Sequence, residues 1–161
     1  MTFMKSRFAA ALAAGAAAVM LAVALLAAPA ARAADKADAE ELVTEAEAFA
    51  RTALERDPDY DEGAATRMLG TLYVMAPGRL VEHGDAEEGL SMLEDLVEAR
   101  PEDPRNHLRV AEAYIALDDP DPAVPFLCFA HAHRDALRKD DQSLLDTLSE
   151  SFGGKDGLAC A

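Results

Sequence analysis

"MLGTLYVMAPGRLVEHGD", Met68 to Asp85, decides how this 161-residue chain folds. Leu69, Gly70 and Tyr73 set the order L-G-x-x-Y on a segment that reads as a helix from about Ala64 to Met75. Pro77-Gly78 then signals a turn. Arg79, Leu80 and Val81 follow before His83-Gly84-Asp85 signals a second one. The stretch therefore reads as a helix, an enlarged turn, and the start of another helix.

The segments on either side carry the same period. "ADAEELVTEAEAFARTALER" places Leu42, Val43, Ala46, Phe49, Ala50, Ala53 and Leu54 at helical spacings of three and four. Pro58 ends that helix and Asp61 is expected to cap the next. A third helix is expected over Glu87–Ala99, with Leu90, Leu93, Leu96 and Val97 as its apolar face, and a fourth over Arg105–Leu117. Asp121 as N-cap and Pro122 at the first helical position open a fifth helix reaching about Arg138, and a sixth covers Asp140–Phe152. Nowhere does a period of two meet a hairpin dipeptide. The chain is expected to be all-α.

These helices repeat. Gly89, Leu93, Leu96 and Pro101 give a small, large, small-or-apolar, proline pattern. It recurs downstream, in the same internal spacing, as Ala123, Leu127, Ala130 and Asp135, which keep everything except the proline, and stands upstream as Ala46, Ala50, Ala53 and Pro58. Leu69-Gly70-Tyr73 recurs as Val110-Ala111-Tyr114, and that step is seven residues longer than the step from Gly89 to Ala123. The excess falls between Tyr73 and Gly84, inside the opening stretch. In this register Gly70 and Ala111 meet Gly89 and Ala123 where paired helices cross closely, and Tyr73, Tyr114, Leu93 and Leu127 fill the space above. Leu80 and Val81 are expected to pack back onto the helix pair.

Over roughly Ala46 to Asp135 the pattern resembles the tetratricopeptide-repeat family. The resemblance implies a right-handed solenoid of antiparallel helix pairs, here about two full repeats, a flanking half-repeat and a C-terminal capping helix. Thr66 and His107 stand where the family carries tryptophan. The enlarged turn ending in His83-Gly84-Asp85 also resembles exported repeat proteins associated with tripartite ATP-independent transporters.

The amino terminus reads as an export signal. Lys5 and Arg7 precede a charge-free apolar run, Phe8–Ala28, and Ala31-Arg32-Ala33 is a small-residue cleavage signal. Residues 1–33 are thus expected to be a secretory signal, 34–152 the helical domain and 153–161 a tail. An uncleaved segment would instead anchor the domain on the same side of the inner membrane. No cysteine lies near the cleavage point to carry a lipid. Without the segment, twelve basic residues face thirty acidic ones, a formal charge of −18. That sign disfavours nucleic acid and anionic membrane surfaces. Cys128 and Cys160 permit a disulfide in an oxidising compartment, a buried free Cys128 being the alternative.

Catalytic and metal motifs are missing. The sequence has no G-x-S-x-G, P-loop, dinucleotide fingerprint or H-E-x-x-H. His131 and His133, two apart on a helix, point away from each other and make a poor metal pair. No cofactor is expected. In repeat solenoids the first helix of each pair lines the concave, ligand-facing surface. Here those helices carry Arg67, Thr71, Met75, Arg105, Arg109 and Glu112, and three arginines in so acidic a domain suit an acidic or carboxylate-ended peptide. The expectation is an exported, non-catalytic repeat adaptor that binds another protein in the bacterial cell envelope. Its rivals are a periplasmic solute-binding or transporter-accessory protein, and an enzyme without recognisable motif.

Overall fold

The computed structural model describes residues 39–160. The signal-type segment lies outside them. The chain divides after Leu42, and the architecture below belongs to the unit that begins at Val43. No strand occurs among the described residues.

Helix α1 is described over 39–56. A turn of 3-10 helix, Tyr60–Glu62, leads to α2, Ala64–Met75. Asp61 does not cap α2. It sits inside the 3-10 turn at φ 43°, and Gly63, at φ 81°, is the N-cap residue instead. That left-handed conformation suits glycine. A Cβ on Gly63 would also lie 2.5 Å from Leu96 Cδ1, so the turn presses directly on α3.

Asp85 starts α3, Ala86–Ala99, by accepting the Glu88 amide at 2.9 Å, and Glu87 and Glu88 add favourable charge to the first turn. Asp103 caps α4, Pro104–Ala116, through the Arg105 amide, with Pro104 in the first turn where its missing donor costs nothing. Helix α5, Ala123–Ala132, begins one residue later than the sequence suggests, with Pro122 itself as N-cap. It also ends six residues earlier. His133 closes it, a 3-10 turn covers Arg134–Ala136, and Leu137 runs extended so that its side chain reaches the core. Gln142 holds that corner by donating to the carbonyls of Arg134 and Leu137. Helix α6 then covers Lys139–Glu150.

The helices pack as antiparallel neighbours, α2 on α3 and α4 on α5, with α4 also against α2 and α3, and α6 against α4 and α5. This is the all-α, paired-helix solenoid that the repeat pattern implies. Gly70 and Gly89 let α2 and α3 cross closely. A Cβ on Gly70 would stand 2.9 Å from the Gly89 carbonyl oxygen, and one on Gly89 would stand 2.7 Å from that of Gly70. Ala111 and Ala123, both fully buried, occupy the matching positions of the next pair. Leu127 centres a core of Leu108, Leu137, Leu145 and Leu158 at the C-terminal end. Cys128 and Cys160 are joined, with Cα atoms 5.5 Å apart and a sequence separation of 32. The bond ties the tail to α5 beside Leu158.

The enlarged turn is anchored by a carboxylate. Glu47 of α1 is only 2% exposed. Its Oε2 accepts the Glu82 amide at 2.8 Å, and its Oε1 accepts the His83 amide at 3.0 Å and the Tyr73 hydroxyl at 3.2 Å. His83 Nδ1 lies 3.0 Å from the same oxygen and must carry the proton there, because an ionised carboxylate only accepts. Burial alone would raise the Glu47 pKa. The bonds from Glu82, His83 and Tyr73 outweigh it and hold the carboxyl below its ordinary value. Val81 is buried with Ala50, Leu69 and Tyr73, as expected, while Leu80 is only half-buried.

Candidate functional site

The first helices of the pairs, α2 and α4, and the start of α6 border an open groove of about 500 Å³. Five of the six candidate residues line it: Arg67, Thr71 and Met75 from α2, and Arg105 and Arg109 from α4. Glu112 does not. It accepts from Arg109 at 2.7 Å. Among the lining residues four guanidiniums, Arg138 included, face two carboxylates, Asp61 and Asp141. Met68, Leu72 and Met75 supply the apolar side.

Each arginine has a structural partner. Arg67, with 12% of its side chain exposed, donates to Asn106 Oδ1 at 2.6 Å and to the carbonyls of Asp61 and Glu62 at 3.3 Å. Burial pushes its pKa down, and the nearby Arg105 adds to that. A guanidinium stays protonated all the same. Arg105 forks across Asp103 and Asp61, with N···O distances of 2.7–3.1 Å. Those bonds raise the Arg105 pKa and lower that of Asp61. Asp103 would be raised by burial, but the side-chain and backbone bonds from Arg105 bring it below its usual value. Arg109 bridges Glu112 and Asp141, the latter at 2.9 Å. Arg138 is different. Its side chain is 81% exposed and touches Asp141 only at 3.5 Å.

The groove thus holds three of its four cations in fixed positions with donors to spare, since a guanidinium has five N–H groups. Two polar atoms of its lining, the Thr71 hydroxyl and Asp141 Oδ2, are buried without a hydrogen-bond partner. A larger hollow of about 600 Å³ lies past Arg105 and Arg138, walled by the α3–α4 turn. Its one further guanidinium, Arg100, is engaged by Asp59 and Glu62, so it offers less convergent chemistry than the groove.

The histidines are structural. His107 stacks on Phe129 with centroids 3.8 Å apart, and its Nε2 meets the Pro101 carbonyl at 2.7 Å. Burial lowers its pKa. His133 covers the other face of Phe129, and His131 pairs with Ser149 at 2.9 Å. Among the described residues no group of three or more His, Cys, Asp or Glu is placed to hold a metal ion. No helix among them is long and apolar enough to cross a membrane.

Glu47 and Asn106 escape sequence reasoning. Glu47 does leave a trace. It lies four residues after Val43, three before Ala50 and seven before Leu54, a carboxylate on the buried stripe. Asn106 leaves none.

Residues 80–127 match the family model of the tetratricopeptide repeat. The match begins in the enlarged turn, takes in α3 and α4, and ends at Leu127 in α5. A repeat of this type marks a protein–protein interaction module, and the family is generally non-catalytic. No curated protein matches the chain.

Proposed function

We propose that this protein is a non-catalytic adaptor of the bacterial cell envelope, which binds an acidic or carboxylate-ended segment of another protein in the groove between α2, α4 and α6. One observation carries this: four guanidiniums converge on an open groove in a strongly acidic chain, beside an apolar strip and the unpartnered Thr71 hydroxyl. A carboxylate meets fixed N–H donors there, and little has to reorganise. An open groove with cations supports the adaptor over a solute carrier, which would favour an enclosed apolar pocket. Export after cleavage at Ala33 is supported by the basic, apolar and small-residue order of residues 1–33. The Cys128–Cys160 bond agrees with an oxidising compartment.

The test must spare the fold. Removing Arg67, Arg105 and Arg109 together would strand Asp103 and Asp141, whose side chains are only 10% and 5% exposed. Arg138→Ala and Met75→Ala alter exposed positions instead. Titrating the protein against a panel of acidic, carboxylate-ended peptides should give binding that weakens as salt rises. The double variant should lose about tenfold in affinity or more, with its melting curve nearly unchanged. Binding that ignores both salt and the two substitutions would refute the groove.

A further inference from the structure

Helix α1 divides its apolar residues between two directions. Val43, Ala50 and Leu54 join the cluster around Leu69 and Tyr73. Phe49 is 72% exposed, and Ala53 is exposed beside it. With Tyr60, Ala65 and the 48%-exposed Met68 they border a trough of about 420 Å³ between α1 and α2, apolar except for Arg56 and Asp57 at one end.

The next repeat shows what such a trough holds. Leu96 takes there the place that Ala53 has here, and it is buried, with the start of α2 pressed against it at Gly63. Asn106 takes the place of Ala65 and is fully buried against Arg67 of α2. The seat between α3 and α4 is therefore filled by a helix, α2. The corresponding seat between α1 and α2 has no helix among the described residues.

We propose that a second copy of this chain fills it, the two α1 helices lying antiparallel about a two-fold axis. On the trough side of α1, Glu45 lies four residues before Phe49 and Arg56 three residues after Ala53. An antiparallel copy therefore brings each Phe49 over the other's Ala53 and each Glu45 to the end of the other's α1 that carries Arg56, with Asp57 just past the last helical residue. A parallel copy would set like charge on like. The contact is isologous, so one patch serves both sides. On the proposed cleavage after Ala33, five residues, 34–38, precede the described part of α1, fewer than the roughly three turns of an ordinary helix, so a second copy is the better occupant. The assembly does not depend on what the concave groove binds.

Sedimentation equilibrium on protein expressed from the full-length chain tests this. The expected result is a reversible monomer–dimer equilibrium. Phe49→Asp should give a monomer with unchanged helical circular dichroism. Glu45→Arg and Arg56→Glu should each weaken the dimer about tenfold, and the two together should restore most of the loss. A wild type that stays monomeric would overturn the proposal, its seat then belonging to the upstream segment or to another protein's helix. A dimer indifferent to Phe49→Asp would overturn it too. So would a double reversal that fails to restore association.

Discussion

Replacing Glu47 by alanine should unlatch the enlarged turn. The side chain accepts two backbone amides, a phenol and an imidazole, and all four bonds vanish together. Hydrogen bonds to a charged acceptor contribute about 1.5–3 kcal/mol each, but these are coupled, so they do not add. Glu82 and His83 are exposed enough to recover water, whereas Tyr73 is buried and keeps only Arg51 at its hydroxyl. The expected loss is about 3–5 kcal/mol, a large part of a small domain's stability. Glu47→Gln should cost less, about 1–3 kcal/mol, because an amide can still accept at one oxygen while its NH₂ confronts a single donor.

The effect has a definite pH dependence. The folded Glu47 pKa lies below its unfolded value, so its stabilisation is present above about pH 4.3 and is lost as pH falls through the folded value. Urea denaturation of wild type and Glu47→Ala near neutral pH should show the full gap, and the gap should close in acid. Hydrogen exchange at the Glu82 and His83 amides gives the local readout, slow in the wild type and fast in the variant. A loss under about 1 kcal/mol at neutral pH, or a gap that persists unchanged in acid, would refute the latch.

The glycine crossing gives a second test: Gly70→Ala and Gly89→Ala should each cost about 2–3 kcal/mol in chemical denaturation, since a Cβ at either meets backbone. Gly78→Ala, with no atom near its Cβ, should stay within about 0.5 kcal/mol. Reducing Cys128–Cys160 should lower stability by about 3–4 kcal/mol on loop-closure grounds, read as a drop in melting temperature with added dithiol. Arg67→Ala should destabilise by about 2–4 kcal/mol by stranding Asn106, whereas the exposed Arg138→Ala should change stability by less than about 0.5 kcal/mol. Equal effects of these two variants would mean that Arg67 is no more structural than Arg138.

What the sequence reveals is what local rules govern. The α2 boundaries, Ala64–Met75, follow from a period of three and four ended by Pro77. The Gly70–Gly89 crossing follows from small residues spaced by the repeat. Asp61 misleads because an acid before a helix suits a cap, and only the fold brings Arg105 to its carboxylate, 44 residues away. The end of α5 is hidden because Ala136, four residues after Ala132, keeps the helical spacing, and the pull of Leu137 into a distant core has no local mark. The groove arginines are legible by register. Their partners are not, because Arg67 meets Asn106 across 39 residues and Arg109 meets Asp141 across 32.

The Arg67–Asn106 bond bears on how the stack keeps its order. Seams made only of leucine and alanine would accept one repeat nearly as well as another, whether shifted along the chain or borrowed from a second molecule. Here the junctions carry different polar pairs. Between α2 and α4 it is Arg67 with Asn106; between α4 and α6 it is Arg109 with Asp141, and fully buried Leu108 takes the place that Arg67 holds one repeat earlier. A misplaced repeat would set a guanidinium against leucine and leave an amide without its donor, at a cost of several kcal/mol. Each repeat therefore recognises its own neighbour, and out-of-step stacks of this protein are disfavoured from within.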